Sequence, residues 1–397
     1  MADVGTGTRE SGSSSGTTAQ PKTPAPKPVV GPYTGSVGTT DVSILYPMPN
    51  VGESVAFLSP TMVGDHGQLL SAADFKTVAG THLDSTMSDP PSGYANLRLV
   101  SLRLDPCAPR ENNTCVSEVR AVYQAIYTKA PGPTGTPVDQ IGATDGALHV
   151  MYEVPETELQ LMLQEILTLK KANGDLALHE LAPHPILAQQ GLAGAFAEGM
   201  RGIVLSHIGE TRITRITHFD HNFDPDSDGW TFGIFDKAAG GTLVAQRVPT
   251  TTHTGQTVAG TSADAPLAQS GAFTFLETAT KDPVSPLVDS GRGPANSKLQ
   301  GAFNAALRVQ NPLIHSAITT DCANCHLAEG AVRIGEAQYG FGPGPAFTHP
   351  RSLARVDQRT SVTNLHAFGY LGRQVSIMQR TANESVLVAA ALEAKIK

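Results

Sequence analysis

The chain has 397 residues, a formal net charge of −8 and a pI near 5.9, which shows no basic face and disfavours nucleic-acid binding. Hydrophobic residues make up 40%, enough for a packed core, while 39 glycines and 28 prolines against 16% charged residues point to many turns and few surface ion pairs. No apolar run reaches the roughly 18 residues of a membrane span.

Residues 1–40 are mostly Gly, Ser, Thr and Pro (G-S-S-S-G-T-T-A-Q-P-K-T-P-A-P-K-P). Such a stretch buries too little apolar surface to offset its ordering entropy and reads as a disordered tether. From 41 to 250 strand patterns dominate. D-V-S-I-L-Y-P is a candidate strand, followed by a short helix in L-L-S-A-A-D-F-K-T-V. N-L-R-L-V-S-L-R-L-D-P-C (96–107) largely alternates apolar and polar residues, the period of a half-buried strand. V-S-E-V-R-A-V-Y-Q-A-I-Y (116–127) and A-L-H-V-M-Y-E-V (147–154) continue the pattern. P-E-T-E-L-Q-L-M-L-Q-E-I-L-T-L-K-K-A-N-G then begins with proline and acids and ends with lysines and glycine, the polarity a helix prefers. A second helix is expected over 185–207, and R-I-T-R-I-T-H-F, W-T-F-G-I-F-D and T-L-V-A-Q-R-V return to strand periodicity. The fold class expected is α+β, with a strand-rich, sandwich-like N-terminal domain (41–250) flanked by two helices. Residues 251–297, polar apart from A-F-T-F-L (272–276), read as a linker region. K-L-Q-G-A-F-N-A-A-L-R-V and N-E-S-V-L-V-A-A-A-L-E-A-K-I-K then mark a small helical domain over 298–397.

Between those two helical stretches lies T-T-D-C-A-N-C-H-L-A-E-G (319–330), with two of the chain's four cysteines. Cys322, Cys325 and His326 form C-x-x-C-H, the attachment pattern of a c-type haem, which simple frequency counting produces by chance about once in a thousand such chains. Residues i, i+3 and i+4 share a helix face. Both thiols can therefore reach the two vinyl groups of one porphyrin while the imidazole ligates its iron. Zinc would need two further ligands, and His349 and His366 lie 17 positions apart rather than 3–5. A thioredoxin-like C-x-x-C would need a βαβ setting, and a plain disulfide is the remaining alternative.

On these residues the last hundred positions resemble the monohaem, class-I-like c-type cytochromes. The resemblance implies a first helix at Lys298–Val309, a Gly-Pro pair at Gly342-Pro343 or Gly344-Pro345, and a closing helix at Asn383–Ile396. It further implies that the Pro343 carbonyl orients His326. Met378, the only methionine after the motif, would be the sixth ligand. His366 is the alternative, with His349, His315 or an open position behind it. Methionine raises the potential, bis-histidine ligation usually lowers it, and an open site would admit peroxide or a small gas.

Cys107 and Cys115 bracket A-P-R-E-N-N-T between two expected strands, where a disulfide is geometrically easy. A disulfide and a thioether-bound haem would share an oxidising compartment. A periplasmic or cell-surface address is therefore expected, with a leader and a lipid anchor upstream of Met1, since the opening residues contain no apolar h-region. The acidic run Asp224, Asp226, Asp228 and Gly229 resembles the start of a calcium loop, although Phe235 stands where the EF-hand glutamate belongs. G-S-S-S-G and H-E-L-A-P-H match nucleophile-elbow and zincin patterns only superficially. Electron transfer to a redox partner protein is the leading expectation. A haem enzyme or sensor with an open axial site, and a surface-binding module with an accessory haem, are the alternatives.

Overall fold

Period-two alternation builds one antiparallel sheet at the centre of the molecule. The structure is a computed structural model. It describes residues 35–50, 53, 57–82, 90–111, 114–129, 140–144, 146–175, 180–222, 229–259, 281–289, 294–342, 344, 347–350 and 365–397. In chain order come α1 (Thr39–Val42), β1 (Ser43–Leu45), β2 (Val63–Gly64), β3 (Gly67–Gln68), α2 (Ala72–His82) and α3 (Pro90–Asn96). The long strands β4 (Leu97–Pro109) and β5 (Cys115–Lys129) follow, then β6 (Gln140–Ala143), β7 (Ala147–Glu153) and α4 (Glu156–Ala172). Next are α5 (Pro185–Gln190), α6 (Ala195–His207), β8 (Ile213–Asn222), β9 (Gly229–Lys237), β10 (Leu243–Ala245) and β11 (Gly255–Ala259). Then come α7 (Ser285–Asp289), α8 (Ser297–Val309), α9 (Cys322–Tyr339), β12 (Phe368–Leu371), β13 (Gln374–Ile377) and α10 (Gln379–Ile396).

Among the described residues, nine strands form a single sheet of order β1-β4-β5-β7-β8-β9-β10, with β6 also beside β5 and β11 also beside β9. The expected sandwich is corrected accordingly: among the described residues the other strands form only the two-stranded hairpins β2–β3 and β12–β13, and it is mainly helices that cover the two faces of the sheet. Along β5, Val119, Ala121 and Tyr123 join one core, where they meet α2, α4, α5, α6 and Leu392 and Ile396 of α10. Val122 and Ile126 join the other core, with Phe219, Trp230 and Phe232, against α7, α8, α9 and the β12–β13 hairpin. Adjacent strand residues point to opposite sides, which is why one strand feeds two cores.

A bulge between Leu99 and Ser101 shifts the alternation of β4. Leu97 and Leu99 before it, and Leu102 and Leu104 after it, lie in the first core, so Ser101 and Arg103 turn to the second side. α4 follows the sequence pattern, with Pro155 at its N-cap, Glu156 and Glu158 in its first turn and Lys170 and Lys171 in its last. The single helix expected at 185–207 is instead two. Gly191, at φ +73°, ends α5 after donating its N–H to the Leu187 carbonyl, and α6 restarts at Ala195.

Two expected boundaries also move. Residues 35–40, read as the end of the tether, belong to the core: Val37 and Thr40 are buried, and the Gly38 N–H donates to Asp41 Oδ2 at 2.7 Å. Asp41 in turn pairs with Lys170 at 2.9 Å, both fully buried. Residues 32–397 cluster as one compact unit. The helices after 297 therefore share a core with the sheet instead of standing apart as a separate domain. Among the described residues no helix is long and apolar enough to cross a membrane.

Candidate functional site

The C-x-x-C-H turn opens α9, and its first turn is anchored by its two intervening residues. Asp321 is the N-cap; its Oδ1 accepts from the Asn324 N–H at 2.9 Å and from Gln256 Nε2 at 2.8 Å. Gln256 Oε1 accepts the Ala323 N–H at 2.8 Å, and Asn324 Oδ1 accepts the Val284 N–H at 2.8 Å. Ala323 and Asn324 are thus buried against β11 and α7, whereas Cys322, Cys325 and His326 are half-buried. The helical period turns these three side chains together into one cavity of about 170 Å³.

His326 sits between the rings of Phe219 and Phe232, each centroid 5.2 Å away. Its Nδ1 lies 2.5 Å from the Leu365 carbonyl oxygen. A carbonyl only accepts, so Nδ1 carries the proton and Nε2 of the neutral ring keeps its lone pair. Burial lowers the His326 pKa and favours that neutral form. The orienting carbonyl is that of Leu365; Pro343, expected in this role, lies outside the described residues, as does Pro345. Burial also pushes both cysteine thiols up, with the Asp321 charge adding to the effect on Cys322, and keeps the sulfurs protonated. Among the described residues no group of three or more His, Cys, Asp or Glu side chains converges to hold a metal ion.

Met378, at the N-cap of α10, lines the same cavity, with its N–H on the Ala367 carbonyl at 3.0 Å. His366 is buried edge-on against Phe219 at 4.9 Å but is not part of the lining; burial and then the His326 charge bring its pKa down to about 3. His349 stacks on Phe347, and His315 is held by Asp282 at 2.8 Å. Asp224, Asp226 and Asp228, the candidate calcium ligands, lie outside the described residues. Phe368 lines the cavity, while the Tyr370 hydroxyl is turned to the Tyr46 carbonyl at 2.7 Å.

Sequence reasoning misses two features. His149, on β7, presents its imidazole to the cavity, and burial followed by the neighbouring His326 holds its pKa well below the ordinary value. The cue available was its polar phase in A-L-H-V-M-Y-E-V, which any solvent-facing residue would share. Arg103, Arg110, Arg120, Arg215 and Arg380 also line the cavity. They come from four different elements and the turn after β4, so no local motif announces them.

No family model matches the chain, and no curated protein or solved structure matches it. The geometry therefore stands on its own. The donors (two neutral thiols and an imidazole with a free lone pair, all on one helix face) fit a c-type haem. At about 170 Å³ the cavity is smaller than the roughly 300–1,000 Å³ of most cofactor pockets.

Proposed function

We propose that this chain is an exported electron-transfer protein carrying one c-type haem. Cys322 and Cys325 hold the porphyrin by thioethers and His326 ligates the iron. The observation that carries this reading is the shared orientation of the three side chains into one cavity, with His326 already oriented by the Leu365 carbonyl. That hydrogen bond fixes the ring and raises the basicity of Nε2, as partners of metal-bound histidines do. When bound, the iron supplies a one-electron couple. Phe368 gives the cavity an apolar wall, and Phe219 and Phe232 pack the His326 ring, which keeps the surroundings similar in both redox states. Met378 is the sixth ligand in this reading, since of the candidates named from sequence it shares the cavity with His326. The C-terminal part then performs the role of a class-I-like cytochrome domain, and the address is periplasmic or cell-surface, with the Cys107–Cys115 disulfide in keeping with oxidising surroundings.

The test is expression behind an export leader together with haem-maturation genes. Denatured protein should retain porphyrin by mass, and its reduced pyridine spectrum should be that of a haem with two saturated vinyl positions. Cys322→Ala/Cys325→Ala should come out colourless after denaturation; colourless wild-type material defeats the proposal. In the mature protein, Met378→Ala should abolish the sulfur–iron charge-transfer band. An unchanged spectrum would assign the sixth position elsewhere and turn attention to His149 or to an open, ligand-binding iron.

A further inference from the structure

The chain is acidic as a whole, yet one wall of this cavity is rich in arginine. Two carboxylates hold four guanidiniums there. Glu118 pairs with Arg120 at 3.0 Å and Arg110 at 3.4 Å, and Glu384 pairs with Arg380 at 2.8 Å and with Arg103. Arg215 has its own bidentate partner, Asp236. The remaining acid of the lining, Asp321, is engaged by the amides of the α9 cap. Asp105 lies close to Arg120 from the sheet side, outside the lining, and takes the Cys107 N–H.

Sharing is incomplete. Arg120 Nε and Arg110 Nη2 are buried and meet no acceptor; Thr320 Oγ1, also in the lining, is buried without a partner, and so is Glu118 Oε2, which has only the 3.4 Å ion pair with Arg110. Native folds rarely leave buried donors unmatched, and a guanidinium is built to take a carboxylate or phosphate in two parallel bonds. Two unmatched guanidinium donors in the lining can take an oxyanion at the β4–β5 end of the cavity. Resting on the reading above, we infer that Arg110 and Arg120 form a carboxylate-binding site for the propionates of the porphyrin whose opposite edge is held by Cys322 and Cys325. The same chemistry would suit a free oxyanion, so the test separates the two sources.

The full-length chain, made without haem attachment, is titrated with iron-free protoporphyrin IX and with its dimethyl ester, following porphyrin fluorescence. The diacid should bind at least tenfold more tightly than the ester. Arg120→Gln and Arg110→Gln should each weaken the diacid about tenfold, the worth of one charge-assisted hydrogen bond, and leave the ester unchanged; that second measurement shows that the fold survives. Equal affinity for diacid and ester overturns the propionate assignment. If inorganic phosphate then raises the melting temperature of wild type but not of Arg120→Gln, the wall belongs to a free oxyanion. Covalent haem in matured Arg120→Gln with equal diacid and ester binding would sink this inference alone, whereas colourless matured wild type sinks the functional reading.

Discussion

Replacing Asp321 with alanine removes an N-cap and strands the side-chain amides of Gln256 and Asn324, both buried. The cap and the unmatched donors together should lower stability by about 2–4 kcal/mol. Urea unfolding would show it as a lower midpoint at unchanged slope. Glu384 gives a pH signature. Burial would raise its pKa, but Arg380, Arg103 and Arg120 outweigh that and bring it down from 4.5 to about 2. An acid whose folded pKa is depressed contributes stability that is complete above its unfolded pKa and is lost as pH falls through the folded one. Wild type should therefore lose on the order of 3 kcal/mol between pH 4.5 and pH 2 that Glu384→Gln does not lose, measured as the difference between their urea midpoints. At this scale Cys322, Cys325 and His326 were legible because one helical turn holds all three. His149, Leu365 and the arginines were not, because only the folded sheet brings them beside that turn.

At the scale of elements, the Cys107–Cys115 disulfide joins the ends of β4 and β5 across a separation of eight residues. Loop-closure entropy for so short a loop amounts to about 2–3 kcal/mol. Cys107→Ser/Cys115→Ser should lower the unfolding free energy by that amount, read from denaturant curves, and leave the sheet's circular dichroism unchanged. Strands and helices with plain periodicity were readable from the chain: α4 by its terminal charges, β4 and β5 by alternation. Others were hidden by local chemistry. The bulge at Leu99/Ser101 inverts the phase of β4 partway along, and Gly191 divides an otherwise continuous helical pattern. The β12–β13 hairpin is two strands of four residues each, too short for a periodic signal, and its turn glycine, Gly372 at φ +57°, is its clearest mark.

For the whole molecule, composition pointed to two domains because the stretch after 297 changes texture from strand to helix. Packing overrides that. α8, α9 and the hairpin cover Val122, Phe219, Trp230 and Phe232 of the sheet, and the far end of α10 reaches the opposite core through Leu392 and Ile396. A chain ended at residue 297 bares an apolar sheet face and should aggregate on size exclusion, while residues 298–397 alone should retain no porphyrin non-covalently, since His149 and four of the cavity's arginines lie outside them. A monomeric, cooperatively folded 41–255 fragment would restore the two-domain view.

The disulfide has one more effect, on how the four sulfurs find their partners. Cys107 and Cys115 meet across eight residues, whereas an encounter of either with Cys322 or Cys325 must close a loop of some two hundred. By loop entropy the short closure is favoured by about 3 kcal/mol, more than a hundredfold. Nearness along the polypeptide thus pairs Cys107 with Cys115 before the fold is complete and keeps Cys322 and Cys325 out of crossed disulfides with them.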